Sequence, residues 1–132
     1  MSYNLADFFL STAADSGIEF TESAVQEQIA NQSGVLSNLS RAALLLDRPE
    51  ARAYAGQALS LAEDLLDPDP KDRRLGSAIS ALAGVERAAG NLFTARVYMI
   101  SARACFVRVG DMSAVEQIDN AINILTYELG QP

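Results

Sequence analysis

At 132 residues, 49% of them apolar, the chain is long enough for one domain with its own core and too apolar to stay unfolded. Its formal net charge of −7, from 17 acids and 10 bases, argues against a general affinity for nucleic acid, which needs Lys and Arg to neutralise phosphates, and against binding an anionic membrane surface. With no histidine, Ser-His-Asp and Cys-His nucleophile systems, His-containing zinc sites and the Glu-x-x-His di-iron pattern are removed.

Helical periodicity dominates the chain and strand alternation is nearly absent. The first predicted helix covers Asn4 to Asp15, with Leu5, Phe8, Phe9 and Ala13 on one face and Gly17 as its stop. The second opens at Thr21, a good N-cap, with Phe20 and Val25 placed as a hydrophobic staple. Its seam reads Val25, Ile29, Gln32, Leu36, Leu39, Ala43, Leu46, and Gly34 is a point where this long helix could divide. Asp47 to Glu50 reads as a capping box for a third helix running to about Leu66, whose apolar face is Ala51, Tyr54, Ala55, Ala58, Ala62, Leu65 and Leu66.

The "DPDP" stretch, Asp67 to Pro70, is the firmest break and reads as a rigid connector. A fourth helix from Pro70 places Leu75, Ile79, Leu82, Val85 and Ala89 inward; Gly90 stops it and Asn91 caps the fifth. Gly110 and Asp111 do the same for the sixth, which carries Val115, Ile118, Ile122, Leu125 and Leu129 and ends at Gly130. The fifth helix has two apolar stripes, roughly opposite: Phe93, Val97, Ile100, Ala104, Val107, and Ala95, Tyr98, Ala102, Cys105, Val109. A helix apolar on two sides is expected to lie between neighbours.

Ala51-Arg52-x-Tyr54 returns 44 residues later as Ala95-Arg96-x-Tyr98, and Ala58 returns as Ala102. Each window follows a helix, a turn and a cap, the arrangement of helical repeats. Gly90-Asn91 at the turn, then Ala95, Met99 and Ala102, resembles the second half of a tetratricopeptide repeat, and the resemblance spans residues 35–110. It implies two antiparallel helical hairpins. The family's aromatic positions are missing from the first half, and the spacing of 44 residues exceeds the family's usual repeat, so an ordinary helical bundle stays open as the alternative. Either way, Ala-Arg-x-Tyr reads as packing plus an edge arginine rather than a catalytic signature.

Chemistry is sparse. Cys105 is the single cysteine, so no intramolecular disulfide forms, and its place on an apolar stripe reads as a small core residue. Asp67, Asp69 and Asp72 invite a calcium loop, but Asp72 and Ala78 stand where that loop needs its glycine and its glutamate. No glycine-rich phosphate loop is present. The remaining signal is basic: Arg96 and Arg103 share one edge of the fifth helix, and Arg52 is the counterpart of Arg96. They could line a groove for an acidic peptide or a C-terminal carboxylate, or pair with the chain's own acids. No apolar run approaches the about 18 residues of a membrane span, and no signal peptide is recognisable.

The expected architecture is therefore all-α and single-domain over residues 1–132. It has about six helices, as two antiparallel hairpins, solenoid-like or bundled, with capping N- and C-terminal helices. The expected function is a non-enzymatic, cytoplasmic protein–protein interaction module of adaptor, chaperone-like or assembly-factor type, without cofactor or metal and without nucleic-acid or membrane partners. The alternative is a structural subunit of a larger assembly, such as a phage particle component. Partner or homo-oligomer contacts are expected at Arg52, Arg96 and Arg103 and, on the first helix, at Leu5, Phe8, Phe9 and Leu10.

Overall fold

The computed structural model describes residues 21–130; the expected first helix, with Leu5, Phe8, Phe9 and Leu10, lies outside them. The described residues form five helices and no strand: α1 Glu22–Leu45, α2 Ala51–Glu63, α3 Pro68–Ala88, α4 Leu92–Arg108 and α5 Met112–Glu128. The all-α expectation holds. The arrangement of two discrete hairpins between capping helices does not. The five helices form one continuous bundle, each packed on the next, and α1 also packs on α3. The physical reason is α3. From Pro70 to Glu86 it has no exposed residue, so it serves as the shared central element rather than as half of a separate hairpin. The "DPDP" prolines enter its first turn, where missing N–H groups cost no helical bond.

The packing between α1 and α2 is built from small side chains. Ser33, Ser37 and Ser40 on α1 are buried, as are Ala51, Ala55, Ala58 and Ala62 on α2. The Ser33 hydroxyl donates to the Ala58 carbonyl at 2.8 Å and that of Ser40 to the Ala51 carbonyl at 2.7 Å. Seven residues forward along α1 match seven back along α2, which fixes the pair as antiparallel and in register. The expected α1 seam holds at Val25, Ile29 and Ala43 and is corrected at Gln32, Leu39 and Leu46. Gln32 and Leu39 are exposed and Leu46 is 73% exposed, while the serines take the inward positions. Gly34 does not divide α1; it lies under the Arg74 guanidinium, which an added Cβ would meet at 2.6 Å.

The larger apolar side chains gather in three small clusters. Val25, Ile29, Ala30 and Leu65 close one end; Ala43, Ala51 and Val85 join α1, α2 and α3; Ala102, Phe106, Val115 and Ile118 join α4 and α5. The Phe106 ring lies over Gly76 of α3, where a Cβ would come within 2.7 Å of it.

Helix ends follow backbone chemistry. Gly90, Gly110 and Gly130 take left-handed φ of 84°, 72° and 74° after α3, α4 and α5, as a C′ residue does. Thr21 accepts from the Ala24 N–H and Asp111 from the Ala114 N–H, both at 3.1 Å. The expected capping box at Asp47 does not form. Asp47 is instead the left-handed residue that ends α1, with φ 55°, and Arg48 N–H reaches back to the Ala43 carbonyl at 2.8 Å. Glu50 precedes α2 without a side-chain cap bond.

Candidate partner-binding surface

Two of the three arginines are engaged by the chain's own acids. Arg52 of α2 donates to Oε1 of Glu86 on α3, and the Asn91 amide donates to Oε2 of the same carboxylate at 2.7 Å. Glu86 is only 6% exposed. These bonds, Arg52 foremost, hold its carboxyl below the usual range. Arg52 therefore ties α2 to the α3–α4 turn. Arg96 and Arg103 do lie together, seven residues apart along one edge of α4. Arg96 is half-buried. Arg103 holds Asp119 of α5 in a forked pair, Nε at 2.6 Å and Nη2 at 3.4 Å. Arg108 at the end of α4 pairs with Asp72 of α3 and approaches the Cys105 sulfur at 3.3 Å. Cys105 itself is buried, and desolvation pushes its thiol pKa up, away from the thiolate that a nucleophile needs.

The alanines of the repeated motif are all internal. Ala51, Ala58, Ala95 and Ala102 are each at most 3% exposed. Tyr54 and Tyr98 are both half-buried. The similarity between the two windows is thus a similarity of close helix packing.

The two stripes of α4 separate cleanly. Ala95, Ala102 and Cys105 face inward. Phe93, Val97, Ile100 and Val107 are 66%, 48%, 49% and 45% exposed. The expectation that α4 is buried between neighbours on both sides is therefore corrected: among the described residues it packs on α3 and α5, and the Phe93 to Val107 stripe is left exposed. The signal that could have revealed this was in the flanks. Thr94 and Ser101 border the stripe on one side, Arg96 and Arg103 on the other, and a stripe edged by polar residues is compatible with water. A second group of exposed apolar residues lies toward the end of α1: Leu39 and Leu46 line a shallow cleft with the half-buried Tyr54, and Leu45 is 88% exposed.

No family model matches this chain, and no curated protein or solved structure matches it.

The remaining geometry offers little chemistry. A cleft of about 540 Å³ opens where Gln26 and Ala30 of α1 face Leu66 and Pro70; its charged lining is Glu22, Glu27 and Asp67, with no base among them. Among the described residues, no group of three or more acids or cysteines is placed to hold a metal ion. No helix there is long and apolar enough to cross a membrane.

Proposed function

We propose that this protein is a non-enzymatic protein–protein interaction module, of adaptor, chaperone-like or assembly-factor type. The observation that carries the reading is the exposed stripe Phe93, Val97, Ile100 and Val107 on α4. Contiguous apolar surface edged by polar groups marks contact sites, because water is a poor partner for it. The tetratricopeptide resemblance around Gly90 to Ala102 supports the same reading, since proteins with such repeats present helix surfaces to other polypeptides. Affinity capture from the native host tests it: a partner retained saturably, and displaced by excess free protein, is the expected result. Absence of any saturable partner would remove the module reading.

A structural subunit of a larger assembly is the second reading. It is favoured by a separate feature: Leu45, Leu46 and Tyr127, near the ends of α1 and α5, are 88%, 73% and 84% exposed. Apolar surface distributed in this way suits packing of copies against one another. Light scattering distinguishes the two, with rings or filaments supporting the subunit and a monomer or dimer supporting the module.

A further inference from the structure

The exposed stripe of α4 has a more specific form than an apolar patch. Phe93, Val97, Ile100, Ala104 and Val107 are spaced four, three, four and three residues apart, the spacing of a coiled-coil seam. They occupy the side opposite the buried Ala95, Ala102 and Cys105, and all five are exposed. At about 1.5 Å per residue the seam extends about 21 Å, two heptads of a partner helix.

The flanks select the occupant. Arg96 and Arg103 stand immediately before seam residues Val97 and Ala104, along one edge; Thr94, Ser101 and Arg108 form the other. α4 has three arginines and no acid, in a chain whose net charge is −7. A second copy seated on this stripe would face unfavourable edges. Antiparallel, the Arg96–Arg103 edge meets its own equivalent. Parallel, it meets Thr94, Ser101 and Arg108. Neither orientation brings an α4 carboxylate to an arginine, and like charges across such a seam oppose pairing. The Asp119 and Asp72 pairs leave Nη1 of Arg103 and of Arg108 outside the bonds that hold them, and both arginine side chains are about half exposed, 44% and 55%. A planar guanidinium can hold one carboxylate and offer its remaining donors to another.

We infer that α4 docks an amphipathic helix of another protein, with apolar residues at heptad spacing and acidic residues along the edge that meets Arg96 and Arg103. The inference rests on the interaction-module reading and adds the surface and the chemistry of its partner.

The test uses the full chain and two synthetic amphipathic helices with the same leucine seam, one flanked by glutamate and one by lysine. Binding is read by fluorescence anisotropy. The glutamate peptide is expected to bind, the lysine peptide to bind at least about tenfold more weakly, the difference one charged contact supplies. Ile100→Asp, at an exposed position, should abolish binding while leaving the circular dichroism unchanged, and Arg103→Gln should narrow the gap between the peptides. Three results overturn the inference. The first is equal or absent binding of the two peptides. The second is self-association of the protein that Ile100→Asp disperses, which assigns the seam to a second copy. The third is binding that emerges only in a Phe8→Asp, Phe9→Asp variant, which assigns it to the chain's own N-terminal segment. If host proteins are still captured by Ile100→Asp as by the wild type, the α4 site falls while the module reading stands.

Discussion

Ser40 donates its hydroxyl to the Ala51 carbonyl at 2.7 Å, with both residues buried where α1 meets α2. One turn away along the same ridge, Ser37 is equally buried but its hydroxyl finds no acceptor among the described residues. The two serines thus predict opposite outcomes. Ser40→Ala should destabilise by about 1 kcal/mol, the net value of one such bond. Ser37→Ala should be neutral or stabilising by up to about 1 kcal/mol, because it removes a desolvated hydroxyl without losing a bond. Urea denaturation of both variants measures this directly.

Two glycines give a second pair. Gly56 lies exposed within α2, with nothing within 4 Å of an added Cβ, so Gly56→Ala should stabilise by about 0.5–1 kcal/mol through helix propensity. Gly76 lies against the Phe106 ring, where the same methyl would come within 2.7 Å. Gly76→Ala should therefore destabilise by about 1–3 kcal/mol. Adding Phe106→Leu should recover part of the loss relative to Phe106→Leu alone, a coupling that a double-mutant cycle reads out.

Glu86 predicts an acid limb in the stability profile. Hydrogen bonds from Arg52 and Asn91 lower its folded pKa, and a bond from Arg87 lowers that of Glu128. A depressed carboxyl binds its proton less readily folded than unfolded. Its contribution is complete above the ordinary glutamate value of about 4.3 and is lost as pH falls through the folded value. Denaturation midpoints should fall as pH drops below about 4.3, and Glu86→Gln should flatten the slope. A Glu86→Gln profile parallel to the wild type would show that this carboxylate does not contribute.

Cys105 should be inert in the folded protein. It is 3% exposed and its thiol pKa is raised by desolvation, an effect the neighbouring Arg108 only partly offsets. Labelling by a thiol reagent is expected to be slow in buffer and fast in denaturant. Cys105→Ala should cost about 1 kcal/mol. Rapid native-state labelling would place the sulfur at the surface.

Backbone punctuation and one-sided helices were legible in the sequence. The glycine stops at 90, 110 and 130, the Thr21 cap, the alanine face of α2 and the inward Val115, Ile118 and Leu125 of α5 all follow from local rules that tertiary contacts do not override. The α1 seam was legible at Val25, Ile29 and Ala43 but not between the last two. A reading that ranks residues by hydropathy prefers Leu36 and Leu39 to Ser37 and Ser40. Yet what the α2 alanines require is a small side chain, and a serine can satisfy its hydroxyl on a helix carbonyl. The exposed stripe of α4 was visible as a stripe, but its solvent exposure depends on which helices stand beside it. Periodicity describes one helix and carries no information on its neighbours. Asp47 was misread because an aspartate between two helices suits either the end of the first or the start of the second, and only the φ of 55° decides.

The small-residue contact between α1 and α2 has a consequence for how this fold should be probed by mutation. Alanine scanning, which asks what is lost when a side chain is cut back, passes silently over Ala51, Ala55, Ala58 and Ala62, because they already carry the scanning residue. At such positions information comes from enlargement. Replacing each with valine and then leucine would force the helices apart by graded amounts, and the slope of stability against added volume would measure how closely the two backbones must approach. The residues that hold this protein together would then appear as the ones least tolerant of growth.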